Sequence, residues 1–128
     1  MDATEDGTMR EEERELARRR LDKELRYYRL ADREKHPTEQ LLRRVRQVLG
    51  LRSAEVARAV GVNRSVLFRL EGSEARGTIS LRAMSRVAQA MNCKVIYAVI
   101  PSDGTTLEEM ADRRKWKKLL GVEEDSGQ

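Results

Sequence analysis

One cysteine and one histidine are all that 128 residues contain of those two types, and each scarcity closes off a class of chemistry. A single thiol cannot form an internal disulfide. One Cys and one His also fall short of the three or four N/S ligands of a zinc site, so no metal and no cofactor is expected. His36 has no serine or cysteine beside it in sequence and no glycine-rich phosphate loop occurs, so no catalytic residue is assigned and the chain is not read as an enzyme. Aromatic residues make up 4% of the chain. That is few for the stacking platforms that hold unpaired bases, and it places RNA binding behind other readings. Long apolar runs and a signal peptide are missing, which makes the cytoplasm the expected location. Cys93 stands in an apolar run and reads as a small core residue.

What the chain has in quantity is charge: 38% of residues are Asp, Glu, Lys or Arg, with a formal net charge of +4. The excess is not even. Residues 37–100 hold eleven Lys or Arg against four acids, so the flanks are slightly acidic. A basic centre favours a polyanion as partner.

The chain divides at its turn formers into three stretches. Residues 1–36 form a charged arm, in which Thr8 and Glu11 make a capping box opening an extended helix to about Lys35. Its apolar stripe is thin, with Leu16, Leu21, Leu25 and Tyr28. Such a helix must dock through Leu21, Leu25 and Tyr28 or pair with a second chain. Residues 101–128 comprise the turn-rich PSDGTT, a helix opened by the capping box of Thr106 and Glu109, and an acidic tail, VEEDSGQ. In that helix Leu107, Met110 and Ala111 share one side and Trp116 lies nearly opposite among Arg113, Arg114, Lys115, Lys117 and Lys118. This side is open to three readings: nucleic acid, a partner protein, or a tryptophan folded back on its own domain.

Residues 37–100 carry the sharper pattern. Pro37 stops the arm, Thr38 caps a helix lined by Leu41, Val45, Val48 and Leu49, and Gly50 ends it. In SAEVARAVGVNRSVLFRLE, Ser53 caps a helix with Val56, Ala57 and Val60 on one face. Gly61 makes a tight turn, Asn63 caps a second helix, and Leu67 and Leu70 follow on its buried side. Arg64, Ser65, Phe68 and Arg69 remain on the outer side, a short helix of the right shape for a major groove. There the two arginines and Ser65 read base edges and Phe68 meets a thymine methyl. Ser53, Asn63, Arg43 and Arg76 are the expected contacts to the DNA backbone. GSEARGT reads as a loop after Glu71. Ser80 caps a further helix with Leu81, Met84, Val87, Ala88 and Met91 as its core stripe. Val95, Ile96, Tyr97, Val99 and Ile100, closed by Pro101, read as a buried β-strand. With no second strand in sight, that strand is expected to pair with its own copy in a homodimer.

Ser53–Glu71 resembles the helix-turn-helix of the lambda-repressor-like (Cro/repressor) family, with Glu71 at a position where that family often has an acid. Ala54 departs from it, since many members carry a phosphate-clamping glutamine there. The run GTISLRAMSRVAQAMNCKVIYAVIP, with LEEM soon after, is similar to the bacterial mobile mystery protein A family, over about Leu16 to Met110. Those proteins are typically encoded beside a Fic-domain protein. The resemblance implies a DNA-binding transcriptional regulator. The alternative it implies is the antitoxin of a toxin–antitoxin pair, which binds and inhibits a Fic-domain toxin, with DNA binding secondary. The expected fold is mainly α, a lambda-repressor-like helix-turn-helix domain with one C-terminal β-strand and a helix on either side. The expected function is sequence-specific binding to an inverted-repeat operator as a homodimeric repressor of its own operon.

Overall fold

Seven helices and no strand are present among the residues that the computed structural model describes, 9–33 and 39–121. Thr8, Lys35, His36, Pro37, Thr38 and the acidic tail lie outside them. The helices group into two units, Pro37–Tyr97 and a second formed by Met1–His36 with Ala98–Gln128. No helix among the described residues is long and apolar enough to cross a membrane.

The Pro37–Tyr97 unit contains α3 (Leu41–Val48), α4 (Ser53–Val60), α5 (Arg64–Arg76) and α6 (Leu81–Ala90). They enclose Leu42, Val56, Ala57, Leu67, Val87, Ala88 and Met91. Leu67 and Val87 are fully buried, each contributing about 1.5–3 kcal/mol of hydrophobic stabilisation.

Helix α3 begins later than Thr38 would have begun it. Gln40 precedes it in a left-handed conformation, φ 52°, and offers no side-chain cap. The cap comes from α5 instead: Glu74 accepts the N–H of Leu41 and of Leu42, both at 2.8 Å. Pinned there, α3 turns Leu42 inward and leaves Val48 82% and Leu49 54% exposed. Those two therefore do not belong to the core face, and Leu42 does.

Helix α4 also starts differently from its reading. Arg52 is the N-cap residue and Ser53 the first helical one. The Arg52 N–H donates to Glu55 Oε1 at 2.9 Å, so the carboxylate three residues on replaces the serine hydroxyl.

The expected loop after Glu71 is helix. α5 runs through Gly72 and Ser73 to Arg76 and stops at Gly77, φ 74°. A mid-helix glycine costs about 1 kcal/mol relative to alanine. The two Glu74 bonds, the Glu71 pairing described below and a Ser73 hydroxyl bonded to the Arg69 carbonyl at 2.9 Å offset it. Helix α6 follows its reading: the Ser80 hydroxyl accepts the Ala83 N–H at 3.0 Å, and Val87, Ala88 and Met91 are buried, although Leu81 is exposed. Asn92, at φ 61°, ends it.

Cys93 is exposed, outside the core it was assigned to. The β-strand at Val95–Ile100 is absent. No backbone group from Lys94 to Ile100 makes a hydrogen bond to any described residue, and Ile96, Tyr97 and Val99 are exposed rather than buried. The reason is that a strand is defined by its ladder, and no other described segment supplies the second side.

The other unit holds α1 (Glu11–Glu24), α2 (Arg26–Arg33) and α7 (Leu107–Leu119). The extended helix of the arm is broken at Leu25. Arg29 Nη1 donates to the Asp22 carbonyl at 3.0 Å, occupying the acceptor that Arg26 would use to continue the helix. The arm docks on α7. Asp22 accepts the N–H of Leu107 at 2.8 Å and of Glu108 at 3.1 Å, and Arg18 Nε donates to Glu108 at 2.8 Å. Among the described residues of this unit, Leu25 and Pro101 are buried; Tyr28 is half-buried and Leu21 exposed. The capping box of Thr106 and Glu109 is present in both directions, at 3.1 and 2.8 Å.

Candidate nucleic-acid interface

The turn between α4 and α5 is set by three residues. Gly61 adopts φ 92°, and its N–H and that of Val62 both reach the Ala57 carbonyl at 2.9 Å. Asn63 then accepts the Val66 N–H on Oδ1 at 2.9 Å. Ala57, 2% exposed, lies where α4 and α5 meet. The small side chain there permits the close crossing.

Leu67 and Glu71 are buried and Leu70 is half-buried, whereas Arg64, Ser65, Phe68 and Arg69 are all exposed; helical spacing sets Ser65 and Arg69 opposite the buried stripe and Arg64 and Phe68 along its Glu71 edge. The Arg64 guanidinium lies 5.8 Å from the centre of the Phe68 ring, close enough for a cation–π attraction. That contact gives one of the face's two arginines a preferred direction.

Two concavities border this face. One, about 400 Å³, is lined by Arg43, Phe68 and Ala75 with the Arg46–Glu71 pair at its base. The other, about 650 Å³, is lined by Ala54, Arg58, Asn63, Arg64 and Ser65. Arg43 and Asn63 thus stand next to the four outward residues. Arg76 is at the far end of α5, its Nη2 3.4 Å from the Ser73 hydroxyl, and Ser53 is half-buried at the start of α4 and lines neither concavity.

The helix is held from behind by charge. Arg46 of α3 donates to both oxygens of Glu71, at 2.7 and 3.1 Å, with the two side chains 12% and 6% exposed. The hydrogen bond to Glu71 raises the Arg46 pKa above its already high value, so the guanidinium stays charged. A bidentate guanidinium–carboxylate pair fixes angle as well as distance.

Sequence reading missed two residues that bear on this face, Glu74, which ties α5 to α3, and Arg58, which lines the second concavity. The signal for the first was present: Leu67, Leu70, Glu71 and Glu74 continue one helical stripe past the two turn-forming residues. Arg58 had no such signal, because its place beside Arg64 depends on the crossing of α4 and α5.

Val95 and Ile100 are half-buried, while Ile96, Tyr97 and Val99 point to solvent. Val95 and Ile96 edge a groove of about 220 Å³ whose floor includes Leu42, Val45, Met84 and Met91. Comparison with family models, curated proteins and solved structures finds no match for this chain.

Proposed function

We propose that this chain is a sequence-specific DNA-binding regulator of the helix-turn-helix kind and that it acts as a homodimer on an inverted repeat. The observation that carries the reading is the division of α5. Leu67, Glu71 and Glu74 lock one side into its unit, and Arg64, Ser65, Phe68 and Arg69 stand free on the other. A helix rigidly held from behind and offering two arginines and a hydroxyl suits direct readout in a major groove. Arg43, Arg58 and Asn63, beside that face, are placed to meet phosphate and set register, and Arg76 and Ser53 extend the contact along the backbone.

An inverted repeat needs two copies in fixed relation. Lys94–Ile100 supplies the means, since its unpaired backbone is complementary to itself in antiparallel alignment. The missing strand then forms when a second copy provides its ladder. The dimer is tested by sedimentation at micromolar concentration: wild type runs as a dimer and Tyr97→Pro as a monomer. A wild-type monomer overturns this part of the reading.

DNA selection from random fragments tests the rest. Enrichment of an inverted repeat is expected, and Arg69→Ala should lose about 1–3 kcal/mol on the selected site and relax preference at one base pair. Failure to enrich any sequence, or unchanged affinity of Arg69→Ala, overturns the assigned face.

A further inference from the structure

The second half of α7 is helical but, among the described residues, buries no side chain of its own. Leu107, Met110 and Ala111 are half-buried, but from Asp112 to Leu120 every residue is exposed. Short helices without tertiary packing are marginal in water, where isolated ones need roughly 12–15 residues to hold together. Trp116, Leu119 and Leu120 stand at i, i+3 and i+4 and form one stripe, 62%, 73% and 70% exposed. By helical spacing the stripe is opposite Leu107 and Ala111, which with Lys118 line a groove shared with Glu11, Arg14 and Arg18 of α1. The stripe is therefore on the face that α1 leaves open.

Its edges are cationic. Lys115 and Lys117 lie on either side of the stripe at about 100° per residue, Lys115 also lining the groove with α1, and Asp112, one turn before Trp116, is a single acid on the stripe itself. Arg113 does not add to the two lysines, because its guanidinium is engaged by Asp103 at 2.8 Å and by the Thr105 hydroxyl at 3.0 Å.

We propose that this face of α7 docks an amphipathic helix of a partner protein, apolar along its centre and acidic along its edges. Charge complementarity selects that occupant. A second copy of α7 would set lysines against lysines. A phosphate backbone would want the cations in the middle of the surface, where this face has tryptophan and two leucines. A lipid surface would want a longer apolar stripe than one turn supplies. An aromatic anchor with a leucine on each side and a charged rim is the anatomy of a protein–protein contact. The proposal stands whether or not α5 binds DNA.

Trp116 is the chain's one tryptophan, so its emission reports this face directly. The full chain is titrated with a designed helical peptide carrying leucines at i, i+3, i+4 and i+7 between glutamates, and with a twin carrying lysines instead. The glutamate peptide should give a saturable blue shift and the lysine twin none. In Lys115→Glu/Lys117→Glu the preference should reverse, by about tenfold if the rim charges act as such pairs do elsewhere. Leu119→Ser/Leu120→Ser should abolish the response with helicity by circular dichroism unchanged. An equal response to both peptides overturns the charge assignment. A response only to random duplex DNA, or only to vesicles of phosphatidylglycerol and phosphatidylcholine, reassigns the face to nucleic acid or lipid and overturns the proposal. So does a shift that follows the protein's own concentration, or no response to any probe.

Discussion

The two units are built from different interactions. In Pro37–Tyr97, seven apolar side chains are buried together, and the charges that matter, Arg46, Glu71 and Glu74, brace helices around that core. In the unit of α1, α2 and α7, Leu25 and Pro101 are the only described apolar residues that are buried, and Asp22, Arg18, Arg29 and Glu108 hold the helices. Apolar burial is not screened by salt and is strengthened by excluded salts, whereas partly exposed ion pairs are screened and individually contribute little. The first unit should therefore behave as a rigid scaffold. The second should open more readily and in a salt-dependent way.

The largest effect expected is from Leu67→Ala, which should destabilise the Pro37–Tyr97 unit by about 3–5 kcal/mol through the cavity it leaves. Chemical denaturation followed by amide exchange at Val87 measures it, and a loss below 1 kcal/mol would mean that this core is not the scaffold. Arg46→Met comes next. It leaves the Glu71 carboxylate buried without its partner, at a cost of about 3 kcal/mol. The same substitution paired with Glu71→Leu should recover much of that loss.

In the other unit the steps are smaller. Asp22→Ala removes the acceptor for two N–H groups of α7, and a lost cap costs about 0.5–2 kcal/mol. Amide protection in α1 and α7 should fall, and Leu67 and Val87 should keep theirs. Molar salt should act on wild type in the same direction, and equal loss in both units would erase the contrast. The finest probe is Asp103. The Thr105 hydroxyl and N–H, with Arg113 beside them, hold its carboxyl at about 2 against an ordinary 3.8. A depressed pKa contributes stability that is complete above pH 3.8 and lost as pH falls through about 2. Carboxyl NMR should find Asp103 titrating near the lower value, and Arg113→Ala should move it upward.

Much of the Pro37–Tyr97 unit was legible because its signals are local. Gly61, Asn63 and Ser80 act within three or four residues, and Val56, Leu67, Val87 and Ala88 follow helical spacing. What could not be read was set by distant partners. The start of α3 depends on Glu74, more than thirty residues away, and the break at Leu25 on a guanidinium reaching back to a carbonyl. Cys93 looked like core because its neighbours are apolar, but Asn92 turns the chain out of α6. The run to Ile100 looked like a buried strand for the same reason, yet β composition cannot supply a second side to the ladder. The outward face of α5 was predicted residue by residue, since it is what remains once Leu67 and Leu70 are placed.

The split of α5 has a consequence for how such a protein can change. Glu71 and Glu74, which anchor the helix, fall in its second half, and Arg64, Ser65, Phe68 and Arg69 in its first. Arg64, Ser65 and Arg69 make no contact with the Arg46 pair or with the start of α3, and Phe68 only walls the concavity above the pair. On the proposed reading of α5, new target preferences are then reachable by exchanging a few solvent-facing side chains on an unaltered mount. A lineage could diversify its binding sites by single steps, each leaving a folded protein behind.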